Sequence, residues 1–364
     1  MNDHFKIYEH SRQRNVLDVR NLSVAFTGRK TKKTVLSDVS FSIRPGETVA
    51  LVGESGSGKS VTALSLLRLI ERSGGVISGA TYFTDNDGQT VDILAQDEKE
   101  LRAIRGNKIS MIFQEPMTSL NPVLSVGFQI TEAILAHRDV SAEEAKREAI
   151  DLLHKVEIPD PERRFGDYPQ QFSGGMRQRV MIAMALACKP SLLIADEPTT
   201  ALDVTTQARI LDIIQRLKEE MNMAVLFITH DLGIVSEIAD RVMVMYCGSI
   251  IEKADTRNLF NAPSHPYTSG LILSMPAVGS ARGKGVPLPA IPGTVPAVWQ
   301  GARGCTFSPR CSYAIERCRH ETPLLQRRNP HSFVEVACHR AAEIRSMLGS
   351  LLPWVEAGEL GITA

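Results

Sequence analysis

Between residues 17 and about 252, short apolar runs alternate with segments whose apolar residues recur about every three or four positions. Thr48–Val52 is such a run, and a Gly-rich turn and a helical pattern from Lys59 to about Ile70 follow it. Two further apolar runs, Ser191–Ala195 and Ala224–Ile228, are each followed directly by polar residues. Strands that alternate with amphipathic helices predict an α/β fold with a largely parallel sheet.

The strand pattern gives way to helical periodicity between about Asn121 and Phe172. Ser141, followed by Glu144, is typical of a capping box at a helix N-terminus. One apolar face follows, formed by Ala145, Ala149, Leu152, Leu153 and Val156. We therefore predict a helical subdomain, at about residues 115–185, inserted into the α/β core.

Composition places the chain among ordinary globular proteins. Its 364 residues contain 41 Lys plus Arg and 41 Asp plus Glu, so the net charge is zero, and 43% are hydrophobic. These values argue against a disordered chain and against a dominant nucleic-acid-binding surface. The longest apolar run, which ends at Cys188, is far shorter than the ~20 residues of a membrane span. Because Met1–Asn15 has no apolar stretch, we expect no secretory signal and a cytoplasmic protein.

A phosphate-binding motif lies between the first strand and its helix. Residues 53–60 read Gly-Glu-Ser-Gly-Ser-Gly-Lys-Ser, which fits G-x-x-x-x-G-K-[ST] in the strand–turn–helix setting that the motif requires. Lys59 would pair with the β- and γ-phosphates, and the Ser60 hydroxyl would ligate Mg²⁺. The other residues expected to hold phosphate are Gly53, Ser55, Gly56, Ser57 and Gly58.

The strand Leu192–Ala195 ends in two acids, Asp196 and Glu197. Such a strand would bring Asp196 to the edge of the sheet, where it can hold Mg²⁺, and place Glu197 to polarise the attacking water. A buried strand with an ordinary acidic turn is the alternative, and the phosphate-binding motif makes it the weaker one.

Several further motifs resemble those of the ATP-binding-cassette (ABC) ATPases, and they follow one another along the chain in the same order as in that family. Phe172-Ser-Gly-Gly-Met resembles the signature loop, although the usual family sequence is Leu-Ser-Gly-Gly-Gln. The other matching positions are Phe26 (A-loop), Gln114 (Q-loop), Asp203 (D-loop) and His230 (switch histidine). The resemblance implies an ABC nucleotide-binding domain of the P-loop NTPase fold that binds ATP and Mg²⁺.

The resemblance also implies roles for individual residues. Glu197, His230 and Gln114 would be catalytic, and Ser60, Gln114 and Asp196 would hold Mg²⁺. Two cassettes would face head to tail, with ATP between the P-loop of one and the Ser-Gly-Gly loop of the other. The remaining nucleotide-binding positions would be Phe26, Ser173, Gly174, Gly175 and Asp203.

The flanks of the signature and the segment Gln114–Pro122 resemble the D-type ATPase subunit of dipeptide/oligopeptide importers, as does the C-terminal sequence around Gly304–Cys311. This branch implies a second ATPase subunit (a paralogue or another copy), two transmembrane permeases and an extracytoplasmic binding protein, without nucleic acid. The protein would lie at the cytoplasmic face of the plasma membrane. Transport of nickel, glutathione or an opine stays open, and a soluble ABC ATPase acting on ribosomes or DNA is a weaker alternative.

Four cysteines are concentrated near the C-terminus: Cys305, Cys311, Cys318 and Cys338. In a reducing compartment they suggest a metal or cluster rather than disulfides, although their spacing is not that of CxxC pairs. The family resemblance favours a [4Fe-4S] cluster. Zinc held by four cysteines, or by three with His339 or His320, and buried thiols without metal are the alternatives. We expect an ABC domain at 16–260, a Pro-rich linker at 261–300 and a small irregular Cys-rich domain at 301–345.

Overall fold

A computed structural model describes residues 15–27, 32–114, 119–200, 202–275, 290–296, 303–328 and 333–349. The strands, in chain order, are β1 Leu17–Thr27, β2 Lys32–Ile43, β3 Thr48–Val52, β4 Gly75–Thr84, β5 Thr90–Asp92, β6 Ile109–Ile112, β7 Leu192–Asp196, β8 Ala224–Thr229, β9 Arg241–Tyr246, β10 Ser249–Asp255, β11 Gln326–Arg327 and β12 Glu335–Val336. The helices are Lys59–Leu66, Glu98–Ile104, Val126–Leu135, Ala142–Lys155, Pro161–Arg164, Gly174–Leu186, Val204–Met221, Leu232–Ile238, Thr256–Asn261, Pro266–Leu273, Glu316–His320 and Ala341–Gly349.

The central sheet has the order β11-β12-β10-β9-β3-β8-β7-β6. Its pairs from β9 to β6 are parallel, whereas β10 and the two short C-terminal strands pair antiparallel. Every residue of β3, β7 and β8 is buried, because the sheet is covered on both faces. The prediction of a parallel α/β sheet is confirmed for this part of the chain.

The N-terminal strands form a separate antiparallel sheet with the order β2-β1-β4-β5. This sheet was not distinguished from the parallel one at the level of sequence, because strand pairing depends on partners far along the chain. β1 is buried mainly on one face, so it needs a core on that side. Its buried face packs, with the helix Lys59–Leu66, onto one face of the central sheet.

The range in which a helical subdomain is predicted contains the helices Val126–Leu135, Ala142–Lys155, Pro161–Arg164 and Gly174–Leu186. Ser141 accepts a hydrogen bond from the backbone N–H of Glu144 at 3.1 Å, so it caps the helix Ala142–Lys155. The predicted apolar face of this helix is buried in the core that covers the other face of the central sheet. Residues 115–118, where the predicted subdomain begins, lie outside the described residues.

The C-terminal part packs against the central sheet. β12 pairs with β10, and Phe307, Val334 and Ala337 share a buried cluster with Tyr246 and Tyr267. A helix, Pro266–Leu273, occupies part of the range expected to be a linker. Across the described ranges, no helix combines the length and apolar character needed to cross a bilayer.

Candidate functional site: the nucleotide-binding edge of the sheet

The loop after β3 has the backbone that the phosphate-binding motif needs. Gly53, Gly56 and Gly58 have φ angles of 154°, 79° and 109°. A Cβ at Gly53 would lie 2.3 Å from the carbonyl oxygen of Met245, and one at Gly58 would lie 2.8 Å from Leu36 Cδ2. Only glycine fits at these two positions, because positive φ and close packing coincide there.

Lys59 opens the helix that follows this loop, and its side chain is buried. Its Nζ donates hydrogen bonds to the carbonyl oxygens of Gly53, at 2.7 Å, and Glu54, at 3.1 Å. Burial lowers the pKa of Lys59, and the nearby carboxylates of Glu197 and Asp196 oppose that shift. The ammonium group is therefore held at the inner side of the loop by backbone oxygens.

Two polar atoms beside this loop are buried without a partner: Ser57 Oγ and Asp196 Oδ1. Burial raises the pKa of Asp196, and a hydrogen bond with Ser60 opposes that shift. Buried polar atoms are rarely left unpaired, so these atoms fit a site for phosphate and a divalent cation. The oxygen donors of Ser60 and Asp196 are ligands that Mg²⁺ prefers.

Glu197 follows β7, and three side chains hydrogen-bond its carboxylate. Gln114 Nε2 and Thr200 Oγ1 each donate to Oε2 at 3.0 Å, and His230 Nδ1 lies 3.3 Å from Oε1. Burial would raise the pKa of Glu197, but the hydrogen bonds from Thr200 and His230 outweigh it and hold the pKa below its usual value. The arrangement keeps an ionised carboxylate at the mouth of the site.

The backbone at Glu197 is unusual as well. Its φ of 48° lies in the left-handed region that residues with a side chain rarely occupy. The Glu197 N–H donates to the carbonyl oxygen of Ile228 at 2.9 Å, which fixes this turn against β8. Such local strain persists only where the surrounding structure over-determines it, and it clusters at functional sites.

The predicted signature loop begins the helix Gly174–Leu186. Ser173 Oγ accepts from the N–H of Met176 at 3.3 Å and so caps the helix. A Cβ at Gly175 would lie 2.5 Å from Thr206 Cγ2, whereas one at Gly174 would meet nothing within 4 Å. Gly174 therefore faces open space, and Gly175 allows close packing against the next helix.

Asp203 caps that next helix, Val204–Met221. Its carboxylate accepts from the backbone N–H of Thr206 at 2.9 Å and from the Thr206 hydroxyl at 2.8 Å. Phe26, in β1, lies partly buried against the core beneath the antiparallel sheet. Residues 115–118 of the segment Gln114–Pro122, and Ala201, lie outside the described residues.

The structure thus places Gln114 and His230 within hydrogen-bonding distance of Glu197, and these are the three residues to which the family resemblance assigns catalytic roles. Sequence reasoning missed Thr200, whose hydroxyl completes the hydrogen bonding of Glu197. The sequence shows that Thr200 lies three residues after Glu197. The two side chains meet because the chain makes a left-handed turn at Glu197.

The prediction of a [4Fe-4S] cluster is wrong. In the described part of the chain, no three His, Cys, Asp or Glu side chains form a group that could hold a metal ion. Cys305, Cys311, Cys318 and Cys338 line a cavity of only about 20 Å³, room for about one water molecule. Burial raises the pKa of the Cys338 thiol to about 11.

Two family models match the chain. The model described as ABC transporter matches residues 36–200, and the one described as oligopeptide/dipeptide transporter, C-terminal region, matches residues 251–318. A putative peptide import ATP-binding protein of Brucella melitensis is 53% identical over 320 residues, which is 87% of this chain and 95% of the relative. The chain belongs to the ABC transporter ATP-binding proteins. As a member of that family it is an ATPase.

Other relatives of this ABC ATPase are also ATP-binding proteins of transporters. The oligopeptide transport ATP-binding protein AppD of Bacillus subtilis is 49% identical, and the alignment covers 85% of this chain and 92% of AppD. The dipeptide transport ATP-binding protein DppD of Escherichia coli is 47% identical with the same coverage. Among solved structures, the dimeric ATP-binding cassette MJ0796 bound to ADP and Pi has a TM-score of 0.57 at 30% identity, and covers 66% of this chain and 99% of MJ0796.

Proposed function

We propose that this ABC ATPase drives the import of dipeptides and oligopeptides by hydrolysing ATP beneath a transmembrane permease. The observation that carries the proposal is that one chain contains both the cassette and the C-terminal region of oligopeptide/dipeptide transporters. The names of AppD, DppD and the Brucella relative support the substrate class.

In this proposal the P-loop binds the ATP phosphates. Lys59 contributes its charge, and Ser57 supplies a buried hydroxyl that has no partner in the protein. Ser60, Asp196 and Gln114 would hold Mg²⁺, which screens phosphate charge when it is bound. The other phosphate-binding positions are Gly53, Ser55, Gly56 and Gly58, and Phe26 would contact the adenine.

Glu197 would accept a hydrogen bond from the attacking water and so orient and polarise it. Gln114 and His230 would keep the carboxylate in place, and their hydrogen bonds to its two different oxygens support this role. Because the hydrogen bonds from Thr200 and His230 favour the ionised form, Glu197 would be available as an acceptor at neutral pH.

Two cassettes would complete the site in a head-to-tail dimer. Ser173, Gly174 and Gly175 would contact the ATP held by the partner's P-loop, since the helix N-terminus is an anion site and Gly174 faces open space. Asp203 would lie at the same junction. The dimeric state of MJ0796 with ADP and Pi supports this arrangement.

We further propose the division into residues 16–260 as the ABC domain, 261–300 as a linker and 301–345 as a small Cys-rich domain, with a helical subdomain at 115–185. The partners would be a second ATPase subunit, two permeases and an extracytoplasmic binding protein. The chain would then lie peripherally at the cytoplasmic face of the membrane.

The test uses the complete transporter in proteoliposomes. We expect dipeptide and oligopeptide uptake that requires ATP, and a Glu197→Gln variant that binds ATP but loses hydrolysis and uptake. Undiminished turnover in Glu197→Gln would refute the role of Glu197. Glutathione is the second substrate to test, because a glutathione import ATP-binding protein, GsiA of Pectobacterium atrosepticum, is 53% identical over 279 residues. ATP-dependent uptake of glutathione without uptake of other peptides would overturn the broader substrate class.

A further inference from the structure

Arg310, in the C-terminal Cys-rich segment, reaches the phosphate-binding loop. Its guanidinium makes two parallel hydrogen bonds to Glu54: Nη1 donates to Oε2 at 2.7 Å, and Nη2 donates to Oε1 at 3.1 Å. The two residues are 256 positions apart in the chain. The Arg310 side chain is only 4% exposed and that of Glu54 is 32% exposed, so this is a bidentate ion pair between a buried guanidinium and a partly exposed carboxylate.

The C-terminal segment holds the Arg310 side chain rigidly. Its Nε donates to the carbonyl oxygen of Pro292 at 2.8 Å, and Nη2 lies 3.4 Å from the carbonyl oxygen of Ile291. The guanidinium carbon lies 5.9 Å from the centre of the Tyr246 ring. Because these contacts also orient the guanidinium, little additional side-chain entropy is lost in the pair with Glu54.

Glu54 is also held through its backbone. Its N–H donates to Tyr267 Oη at 2.9 Å, and its carbonyl oxygen accepts from Lys59 Nζ at 3.1 Å. Tyr267 is fully buried and packs against Tyr246, with 4.7 Å between the ring centres, and against Phe307, with 5.4 Å. Elements after residue 240 therefore fix a residue of the loop that binds phosphate.

The charge of Glu54 makes this contact important for nucleotide binding. An unpaired carboxylate in the P-loop would repel the polyanionic phosphates, and the repulsion is strong where the dielectric is low. Arg310 pairs with this carboxylate through both of its oxygens. We propose that Arg310 is a positioning residue for ATP binding, which neutralises Glu54 and fixes the P-loop from the C-terminal segment.

This inference rests on the proposed function, because it concerns the ATP site of the same subunit. It predicts an effect on nucleotide affinity more than on the chemical step, since Arg310 does not touch the reacting groups. It also predicts that the harm done by losing Arg310 comes from Glu54. The harm should therefore disappear when the carboxylate is removed as well.

The experiment compares Arg310→Met, Arg310→Lys, Glu54→Gln and the double variant Arg310→Met/Glu54→Gln in the assembled transporter. The affinity for a fluorescent ATP analogue, the ATPase KM and kcat, and the melting temperature are measured for each. Arg340→Met is the matched control, because Arg340 hydrogen-bonds Tyr313 and Glu343 within the same C-terminal segment.

We expect Arg310→Met to weaken nucleotide binding about tenfold, with a smaller change in kcat, as loss of a charge-assisted pair predicts. Arg310→Lys should recover part of the affinity, because it keeps the charge but loses the bidentate geometry. Glu54→Gln and the double variant should bind within about threefold of wild type, and Arg340→Met should do so as well.

An Arg310→Met variant that melts at a lower temperature but binds nucleotide like the wild type would overturn the inference, leaving Arg310 a purely structural residue. A double variant no better than Arg310→Met would also overturn it. If Arg310→Met does not fold, Glu54→Gln decides: weaker binding would show that Glu54 itself supports ATP and that Arg310 does not offset it. Failure of the wild-type transporter to bind ATP would refute the proposed function instead, which keeps the two failures distinct.

Discussion

Replacing Thr200 by Val removes one hydrogen bond from the Glu197 carboxylate and changes little else in side-chain shape. The Thr200 hydroxyl donates to Oε2 at 3.0 Å, the same oxygen that accepts from Gln114. Thr200 is exposed, so we assign this bond about 1 kcal/mol, below the range for fully buried bonds to a charged group. If Glu197 orients the attacking water, a loss of about 1 kcal/mol corresponds to about a fivefold fall in kcat.

The loss of the hydroxyl should also change the pH dependence. Thr200 is the largest influence that holds the pKa of Glu197 down against the effect of burial. Without it the pKa rises, so the carboxylate is protonated at a higher pH and the acidic limb of the kcat profile moves upward. The KM for ATP should stay near the wild-type value, because Thr200 acts on the carboxylate rather than on the P-loop.

The assay is steady-state ATP hydrolysis by the assembled transporter across the acidic limb. Thr200→Ser is the matched control, because it keeps the hydroxyl and should retain both the rate and the profile. The reasoning is refuted if Thr200→Val leaves kcat and the acidic limb unchanged. It is equally refuted if Thr200→Ser loses as much activity as Thr200→Val.

Two further predictions concern stability. Burial raises the pKa of Glu252 to about 7 from 4.5, so between these pH values the folded state keeps a proton that the unfolded state releases. The contribution of Glu252 to the free energy of unfolding is therefore fully present below about pH 4.5 and is lost as the pH rises through 7. The change amounts to about 3 kcal/mol, and melting curves of Glu252→Gln should show a flatter pH dependence than wild type; an unchanged slope would contradict this assignment. A Cβ at Gly127 would lie 2.4 Å from the Phe165 ring, so Gly127→Ala should cost about 1–3 kcal/mol by overpacking, measured by denaturant unfolding. Gly127→Ala/Phe165→Leu should recover most of that loss, and a double variant no more stable than Gly127→Ala would argue against overpacking.

Local signals in the sequence determined the central elements. Apolar runs gave β3, β7 and β8, because strands covered on both faces need no polar alternation. Ser141 marked a helix start because its side chain bonds a backbone N–H three residues away, a purely local interaction. The glycines of the P-loop were recognisable for the same reason, since the backbone conformation they allow belongs to the loop itself.

Other features had no local signal. The antiparallel N-terminal sheet was not separated from the parallel one, because strand pairing is decided by partners far along the chain. The concentration of four cysteines near the C-terminus suggested a cluster, yet whether thiols can hold metal depends on the cavity that they enclose, which only the tertiary structure sets.

The sequence by itself therefore determined the class of fold, the phosphate-binding loop and the acids that follow β7. Only the tertiary structure decided that Gln114, Thr200 and His230 meet at Glu197 and that Arg310 pairs with Glu54. The physical reason is that a hydrogen bond or ion pair requires its atoms to lie within about 3 Å of each other, and that its strength depends on how far both groups are buried from water. For residues far apart in the chain, folding alone supplies both conditions.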